Sequence, residues 1–142
     1  MFRKLSDSVL ASPQIDLADI AAAAAQGVTL IINNRPEGES DDQTPGAEIE
    51  AAARAAGLNY VAIPVTHAGF SQAQVAAMAE ALKSAGGPVL AYCRSGTRSC
   101  NLWALASAKA GGNPDELVAK GAGAGYDLSG IRPLLDQLSG RG

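Results

Sequence analysis

Three short apolar runs, each followed by a polar loop and a helical segment, constrain the fold of this chain most strongly. The runs are Val28 to Ile32, Tyr60 to Val65 and Pro88 to Tyr92. None of them alternates polar with apolar residues, which is typical of strands that are buried on both faces of a sheet. Because such strands alternate with helices, we predict an α/β fold with a central, mainly parallel sheet flanked by helices.

The helical segments are recognised by the residues at which they start and stop. In the first, Ser12 is the expected N-cap, Pro13 the first helical residue and Gly27 the stop. The glycine-rich GAGAGYD sequence in the tail is interpreted as a flexible turn. The predicted helices cover residues 12–26, 47–56, 71–84, 98–110, 114–120 and 129–138.

Length and composition indicate one globular domain over residues 1–142, since hydrophobic residues make up 47% and charged residues 18% of the chain. The net charge is −3 and the basic residues are not clustered, so we expect no nucleic-acid partner. No apolar run reaches the length of a membrane span and no secretory signal is recognisable, which predicts a cytoplasmic protein without a membrane partner. The oligomeric state is left open.

Two cysteines and one histidine are too few for a disulfide framework or a zinc site. We therefore expect no metal and no cofactor, and we expect a thiol that takes part in catalysis. Cys93 is the candidate nucleophile, whereas Cys100 lies inside a predicted helix, where packing is its expected role and a resolving thiol the alternative.

Cys93 and Arg98 bound a short polar loop, Cys-Arg-Ser-Gly-Thr-Arg, between a predicted central strand and a predicted helix. Exposed backbone N–H groups, the helix dipole and the charge of Arg94 favour a thiolate at Cys93. Gly96 permits a positive φ, so that the N–H groups of the loop can converge on an anion. The residues expected to contact substrate there are Arg94, Ser95, Gly96, Thr97 and Arg98. A buried structural cysteine beside a solvated arginine is the alternative.

The segments INNRPEGE, AEIEAAARAAGLNYVAIPV, GPVLAYCRSGTRS and GYDLSG, in that order, resemble the bacterial beta-lactamase-hydrolase-like phosphatase-like family. The resemblance extends from about Phe2 to Leu138. Members of that family are described as phosphatases and as sulfur transferases, and their fold is similar to that of dual-specificity tyrosine phosphatases. The resemblance implies the same fold here, with the cysteine loop at the carboxyl end of a central strand.

The cysteine loop, defined here as residues 93–98, departs from the tyrosine-phosphatase pattern in two ways. Such phosphatases place five residues between cysteine and arginine and usually have histidine before the cysteine. This chain has four intervening residues and Tyr92 before the cysteine. Cys-x-x-Gly-x-Arg also resembles the active-site loop of rhodaneses, in which the cysteine carries a persulfide. A shorter loop encloses a smaller space, which favours a sulfur atom over a phosphoryl group.

Cleavage of a phosphate ester by a thiolate also needs a general acid for the leaving oxygen. Comparison with dual-specificity phosphatases puts His67 about where that family has its aspartate, although an exposed loop residue is an equally good interpretation. Asp41 and Asp42 are reserve candidates, although solvated loop carboxylates are the favoured interpretation of both. Ser99, which follows the arginine, would assist hydrolysis of the phosphocysteine.

Asn34 and Arg35 end a predicted strand at the carboxyl edge of the sheet, where ligands bind in α/β folds. Arg35 can bind the acidic part of a substrate there, and Asn34 is expected beside it. Turn formation and a surface arginine are the alternative interpretation.

These features give three hypotheses for function. The preferred one is a sulfurtransferase that passes sulfane sulfur through a persulfide at Cys93. The second is a phosphomonoester hydrolase of tyrosine-phosphatase type that forms a phosphocysteine at Cys93. The third is a module that senses anions without turnover. The expected partner is a small anion: thiosulfate, a persulfide or a phosphate ester.

Overall fold

A five-stranded sheet forms the centre of the computed structural model, which describes residues 2–140. The strand order is β1-β2-β5-β3-β4, and only β1 runs antiparallel to its neighbour. The predicted, mainly parallel sheet is therefore confirmed. The strands are β1 (Arg3–Lys4), β2 (Val9–Ser12), β3 (Leu30–Asn33), β4 (Asn59–Ala62) and β5 (Val89–Tyr92).

Helices cover both faces of the sheet, as predicted. In β3, Ile31 faces the apolar cluster formed with α1 and α2, while Ile32 faces the cluster on the opposite side. Because both faces are buried, the strands need apolar residues at successive positions, which explains why they lack polar alternation. The helices are α1 (Leu17–Ala25), α2 (Gly46–Ala55), α3 (Gln72–Ser84), α4 (Thr97–Lys109), α5 (Pro114–Gly123) and α6 (Arg132–Leu138), with a short 3₁₀ turn at Ser129–Ile131.

The first helix starts later than the sequence predicts. Ser12 is the last residue of β2, which pairs with β5 over four residues, and the helix begins at Leu17. Asp16 is the N-cap: its carboxylate accepts the N–H groups of Ala18 and Asp19 at 3.0 and 3.2 Å. The prediction of Ser12 as the cap was wrong because the apolar residues of β2 are buried against the sheet and find their hydrogen bonds there.

The GAGAGYD sequence is not simply a flexible turn. Gly121 and Gly123 belong to α5, and the turn is confined to Ala124 and Gly125. A Cβ at Gly121 would lie 2.7 Å from Leu128, so glycine lets α5 pack closely against the tail. The tail is thus part of the packed structure.

The carboxyl ends of β3, β4 and β5 lie side by side in the sheet and bring three loops together. These are the β3–α2 loop (residues 34–45), the β4–α3 loop (residues 63–71) and the cysteine loop. Within residues 2–140, no helix has both the length and the apolar character needed to span a membrane.

Candidate active site

Cys93 lies at the floor of the cysteine loop, directly after β5. Its sulfur accepts a hydrogen bond of 3.1 Å from the N–H of Gly96, and its side chain is fully buried at 0% exposure. Gly96 has φ +93°, a left-handed conformation that favours glycine and curls the chain around the sulfur. A thiolate in this position is stabilised by a donor from its own loop.

The cysteine loop also presents backbone donors that have no partner. Across residues 2–140, the N–H groups of Arg94, Ser95 and Arg98 take part in no hydrogen bond, while that of Thr97 donates to Ser95 Oγ at 3.3 Å. Because α4 starts at Thr97, the positive end of its dipole faces the same place. The loop therefore has the donors and the field that hold an anion.

Arg98 is held by a bidentate ion pair with Glu39. Its Nη1 and Nη2 donate to the two carboxylate oxygens, both at 2.8 Å, and Nη1 also donates to the carbonyl of Val65 at 2.6 Å. The hydrogen bonds that Arg98 donates to Glu39 are the main cause that raises the pKa of Arg98, and the neighbouring Cys93 raises it further. Cys93 and Arg98 are thus neighbours, and the guanidinium is fixed on one side by a carboxylate.

Glu39 was not singled out from the sequence. Its hydrogen bonds from Arg98, and then those from Arg35, lower its pKa from 4.5 to about 2 against the opposing effect of burial. The only signal in the sequence is an acidic residue four positions after Arg35 in a long polar loop. A single loop carboxylate of this kind is usually solvated, and only the folded chain brings it to Arg98.

Arg35 is directed into the protein. Its Nε donates to Glu39 at 2.9 Å, Nη1 to Gln14 at 3.0 Å and Nη2 to Ser40 at 3.1 Å. The residue is only 4% exposed. In this arrangement Arg35 holds Glu39 and the β3–α2 loop, and it is not among the residues that line the cavity beside the cysteine loop, described below.

Asn34 and Ser99 lie behind the cysteine loop. The hydroxyl of Ser99 donates to Asn34 Oδ1 at 2.8 Å, and Asn34 Nδ2 donates to the carbonyl of Ile63 at 3.0 Å. Both residues are fully buried. The pair ties α4 to the residue that follows β3, and the Ser99 hydroxyl points at Asn34 and not at Cys93 in this structure. Asn34 is not among the residues that line the cavity beside the cysteine loop.

His67 and Arg98 line the same cavity, which has a volume of about 450 Å³. Arg94, Ser95 and Thr97 of the cysteine loop line it too. The cavity brings together most of the residues expected from the sequence to contact a substrate. Its other lining residues are Thr66, Gly69, Phe70 and Asn101.

The two reserve acids lie outside this cavity. Asp42 accepts a 2.6 Å hydrogen bond from the hydroxyl of Ser40, which lowers its pKa, so it is ionised at neutral pH and has no proton to give. Asp41 is exposed. Asn101, which the sequence did not single out, has a buried Oδ1 without a hydrogen-bond partner among residues 2–140.

Cys100 is a core residue. Burial, followed by the neighbouring Cys93 thiolate, raises its pKa to about 12, so the thiol stays protonated at neutral pH. This environment agrees with the packing role expected from the sequence. Among residues 2–140, no three histidine, cysteine or acidic residues are grouped so that they could hold a metal ion.

Residues 1–110 match the family described as beta-lactamase hydrolase-like protein, phosphatase-like domain. The chain belongs to this family. It is 32% identical over 137 residues to a beta-lactamase hydrolase-like protein of Agrobacterium fabrum, covering 96% of this chain and 32% of the relative. It is 37% identical over 126 residues to one from Xylella fastidiosa, covering 87% and 29%. The chain therefore spans about a third of the length of these relatives.

Solved structures share the architecture. A candidate phosphatase from Neisseria meningitidis has a TM-score of 0.84 and 34% identity, with 96% of each chain covered. PTPMT1 has a TM-score of 0.75 at 15% identity, covering 99% and 98%. TpbA from P. aeruginosa, solved in complex with phosphotyrosine, has a TM-score of 0.68 at 17% identity, covering 97% and 87%. The last two likenesses concern the fold alone.

These findings confirm the predicted family and the tyrosine-phosphatase-like fold, and they agree with a cysteine-dependent enzyme of phosphatase type. The preference for sulfur transfer is not confirmed, since the phosphatase alternative fits the family and its fold at least as well.

Proposed function

We propose that this domain hydrolyses phosphomonoesters through a phosphocysteine at Cys93. The observation that carries the proposal is the cavity shared by His67 and Arg98 beside the cysteine loop. Hydrolysis of an ester needs a proton donor for the leaving oxygen, whereas transfer of sulfane sulfur does not. A histidine in this cavity therefore supports phosphate chemistry over sulfur chemistry.

In the first step, the Cys93 thiolate attacks phosphorus and the bond from phosphorus to the ester oxygen breaks. Arg98 and the loop N–H groups hold the phosphoryl oxygens, and the His67 imidazolium gives its proton to the leaving alcohol or phenol. Glu39 fixes the guanidinium of Arg98 from the other side. Because that orientation exists before substrate arrives, it costs no rearrangement during the reaction.

In the second step, water attacks the phosphorus of the phosphocysteine. The sulfur–phosphorus bond breaks, the thiolate of Cys93 is restored, and inorganic phosphate leaves. Neutral His67 accepts the proton of the attacking water, which returns it to the imidazolium needed for the next turnover.

Sulfur transfer remains the second candidate, because of the short loop and the full burial of Cys93. With thiosulfate, the thiolate would attack the outer sulfur, sulfite would leave with the bonding electron pair, and a persulfide would remain on Cys93. Arg98 would hold the sulfonate oxygens of the donor.

The two reactions leave different adducts on the same peptide. Trypsin releases Cys93 in residues 84–94 and Cys100 in residues 99–109, so mass spectrometry distinguishes the two sulfurs. The protein is incubated separately with an aryl phosphate and with thiosulfate, and turnover of each is followed. We expect a phosphoryl group on residues 84–94 and fast ester hydrolysis.

The matched controls are Cys93→Ser, which should abolish turnover, and Cys100→Ser, which should leave it within about twofold of wild type. A persulfide with turnover of thiosulfate and no ester hydrolysis would replace this proposal with sulfur transfer. Binding of phosphate with neither adduct would instead favour the anion sensor.

A further inference from the structure

The phenol of Tyr126 contacts the cysteine loop from the side of the C-terminal tail. Its hydroxyl donates a hydrogen bond of 3.3 Å to the carbonyl of Ser95. The contact is close: a Cβ at Gly96 would collide with the Tyr126 hydroxyl and lie 3.2 Å from the backbone of Ser12. Tyr126 thus packs directly against the residue at which the loop turns.

The carbonyl of Ser95 and the N–H of Gly96 belong to one planar peptide group. That N–H is the donor at 3.1 Å to the sulfur of Cys93. Because the group is rigid, a hydrogen bond at its oxygen also fixes the direction of its N–H. A chain of two hydrogen bonds therefore links the phenol to the sulfur, and each bond polarises the other.

Tyr126 is itself held in place by β1 and by the end of α5. The guanidinium of Arg3 in β1 lies 5.1 Å from the centre of the ring and donates to the carbonyl of Ala124 at 3.2 Å. The N–H of Tyr126 donates to the carbonyl of Gly121 at 2.8 Å. Gly125 has φ +92°, and a Cβ there would lie 2.7 Å from Arg3.

We propose that Tyr126 is a positioning residue that orients the Ser95–Gly96 peptide and so stabilises the thiolate of Cys93. The inference goes beyond the proposed function, because phosphate hydrolysis and sulfur transfer both need the thiolate. Cys93 is among the groups that raise the pKa of Arg98 and Cys100 of α4 and of Tyr126 itself. Of these, only Tyr126 lies outside the segment that contains the cysteine loop and α4.

The test compares Tyr126→Phe with Tyr60→Phe, since each change removes one hydroxyl from a partly or largely buried ring. Tyr60 accepts from Asn33 at 2.9 Å, and within residues 2–140 no hydrogen bond joins it to the cysteine loop. The rate of alkylation by iodoacetamide is measured against pH on the tryptic peptide of residues 84–94. Below the pH of half-reaction, Tyr126→Phe should react about three- to tenfold more slowly than wild type, since one hydrogen bond is lost.

The half-reaction pH should rise in Tyr126→Phe and stay unchanged in Tyr60→Phe, and the rates should converge at high pH, where Cys93 is fully ionised. The ultraviolet absorbance of the thiolate, titrated in a Cys100→Ser background, should show the same shift and needs no access by a reagent. No substrate is involved, so failure of the proposed function would leave this result intact.

Superimposable titrations of Tyr126→Phe and wild type would overturn the proposal. So would a rise in reactivity of Cys100, read on residues 99–109 of the same digest, because it would mean that the core has opened. As a second variant, Arg3→Gln removes the cation over the ring and should shift the half-reaction pH in the same direction by a smaller amount. An opposite shift would contradict the role of Tyr126.

Discussion

The β3–α2 loop and the β4–α3 loop both border the candidate site, but they are held in different ways. The first is long and its side chains bond across it: Gln43 bridges the N–H of Glu39 and the carbonyl of Pro36, and Glu37 accepts the N–H of Gly46. At the exposed tip of the second, residues 66–69, the hydrogen bonds found within residues 2–140 are local: the N–H of Ala68 donates to Thr66 Oγ1 and the N–H of Gly69 to the carbonyl of Thr66.

The two loops therefore have different tasks at the site. The long loop fixes the direction of Arg98 through Glu39, and hence the place where an anion is held. The β4–α3 loop carries His67, and its few hydrogen bonds constrain the position of that side chain much less. Length alone would have suggested the opposite, because long polar loops are usually the mobile ones. Side-chain hydrogen bonds, and not length, decide how firmly a loop is held.

The largest effect is expected at the tip of the short loop. His67→Gln should lower kcat for an alkyl phosphate by about a hundredfold or more, because the poor leaving group loses its proton donor. An aryl phosphate with an acidic phenol needs less help and should lose much less. Steady-state kinetics with both esters checks this, and equal losses for the two would rule out an acid role for His67.

The next effect is expected in the long loop. Glu39→Gln should lower kcat for an aryl phosphate by about ten- to thirtyfold without raising KM, because Arg98 loses its orientation but keeps its charge. Asp42→Asn removes the same charge from an exposed position of the same loop and should change kcat less than about twofold. If both variants behaved alike, the effect of Glu39 would be one of net charge and not of orientation.

The same ion pair predicts a dependence of stability on pH. The folded pKa of Glu39, about 2, lies below its ordinary value of 4.5, so the pair stabilises the folded state above pH 4.5. That stabilisation is lost as pH falls towards 2. It amounts to about 1 to 2 kcal/mol once solvent screening is allowed for.

Urea unfolding at neutral pH and near pH 3 measures this contribution of the ion pair to the free energy of unfolding. Wild type should lose more stability than Glu39→Gln over that range, since the variant has no carboxyl to protonate there. Parallel losses in the two proteins would show that the pair contributes nothing to stability.

The smallest effect is expected behind the cysteine loop. Ser99→Ala should lower the free energy of unfolding by about 1 kcal/mol, because Asn34 Oδ1 loses its donor in a fully buried place. Urea unfolding checks it against Ser84→Ala, an exposed serine of α3 that should be nearly neutral. Equal stabilities for the two variants would mean that water replaces the lost donor.

Much of the fold could be predicted because it depends on local patterns. Ser71 begins α3 as predicted, with a capping box to Gln74 that is visible in the sequence as a serine three residues before a glutamine. The predicted start of α1 was wrong because β1 and β2 are short and take their stability from the sheet. Ser12 followed by Pro13 looks like a helix start, and only pairing with β5 makes Ser12 the end of a strand.

The sequence by itself determined the alternation of strands and helices and the cysteine loop, because strand burial, helix capping and the conformation of Gly96 depend on residues close together in the chain. Only the tertiary structure decided which distant groups reach that loop. Glu39 meets Arg98 from 59 residues away, and Tyr126 meets Ser95 from 31. Such contacts depend on how the strands are ordered and how the tail packs, which no local pattern encodes.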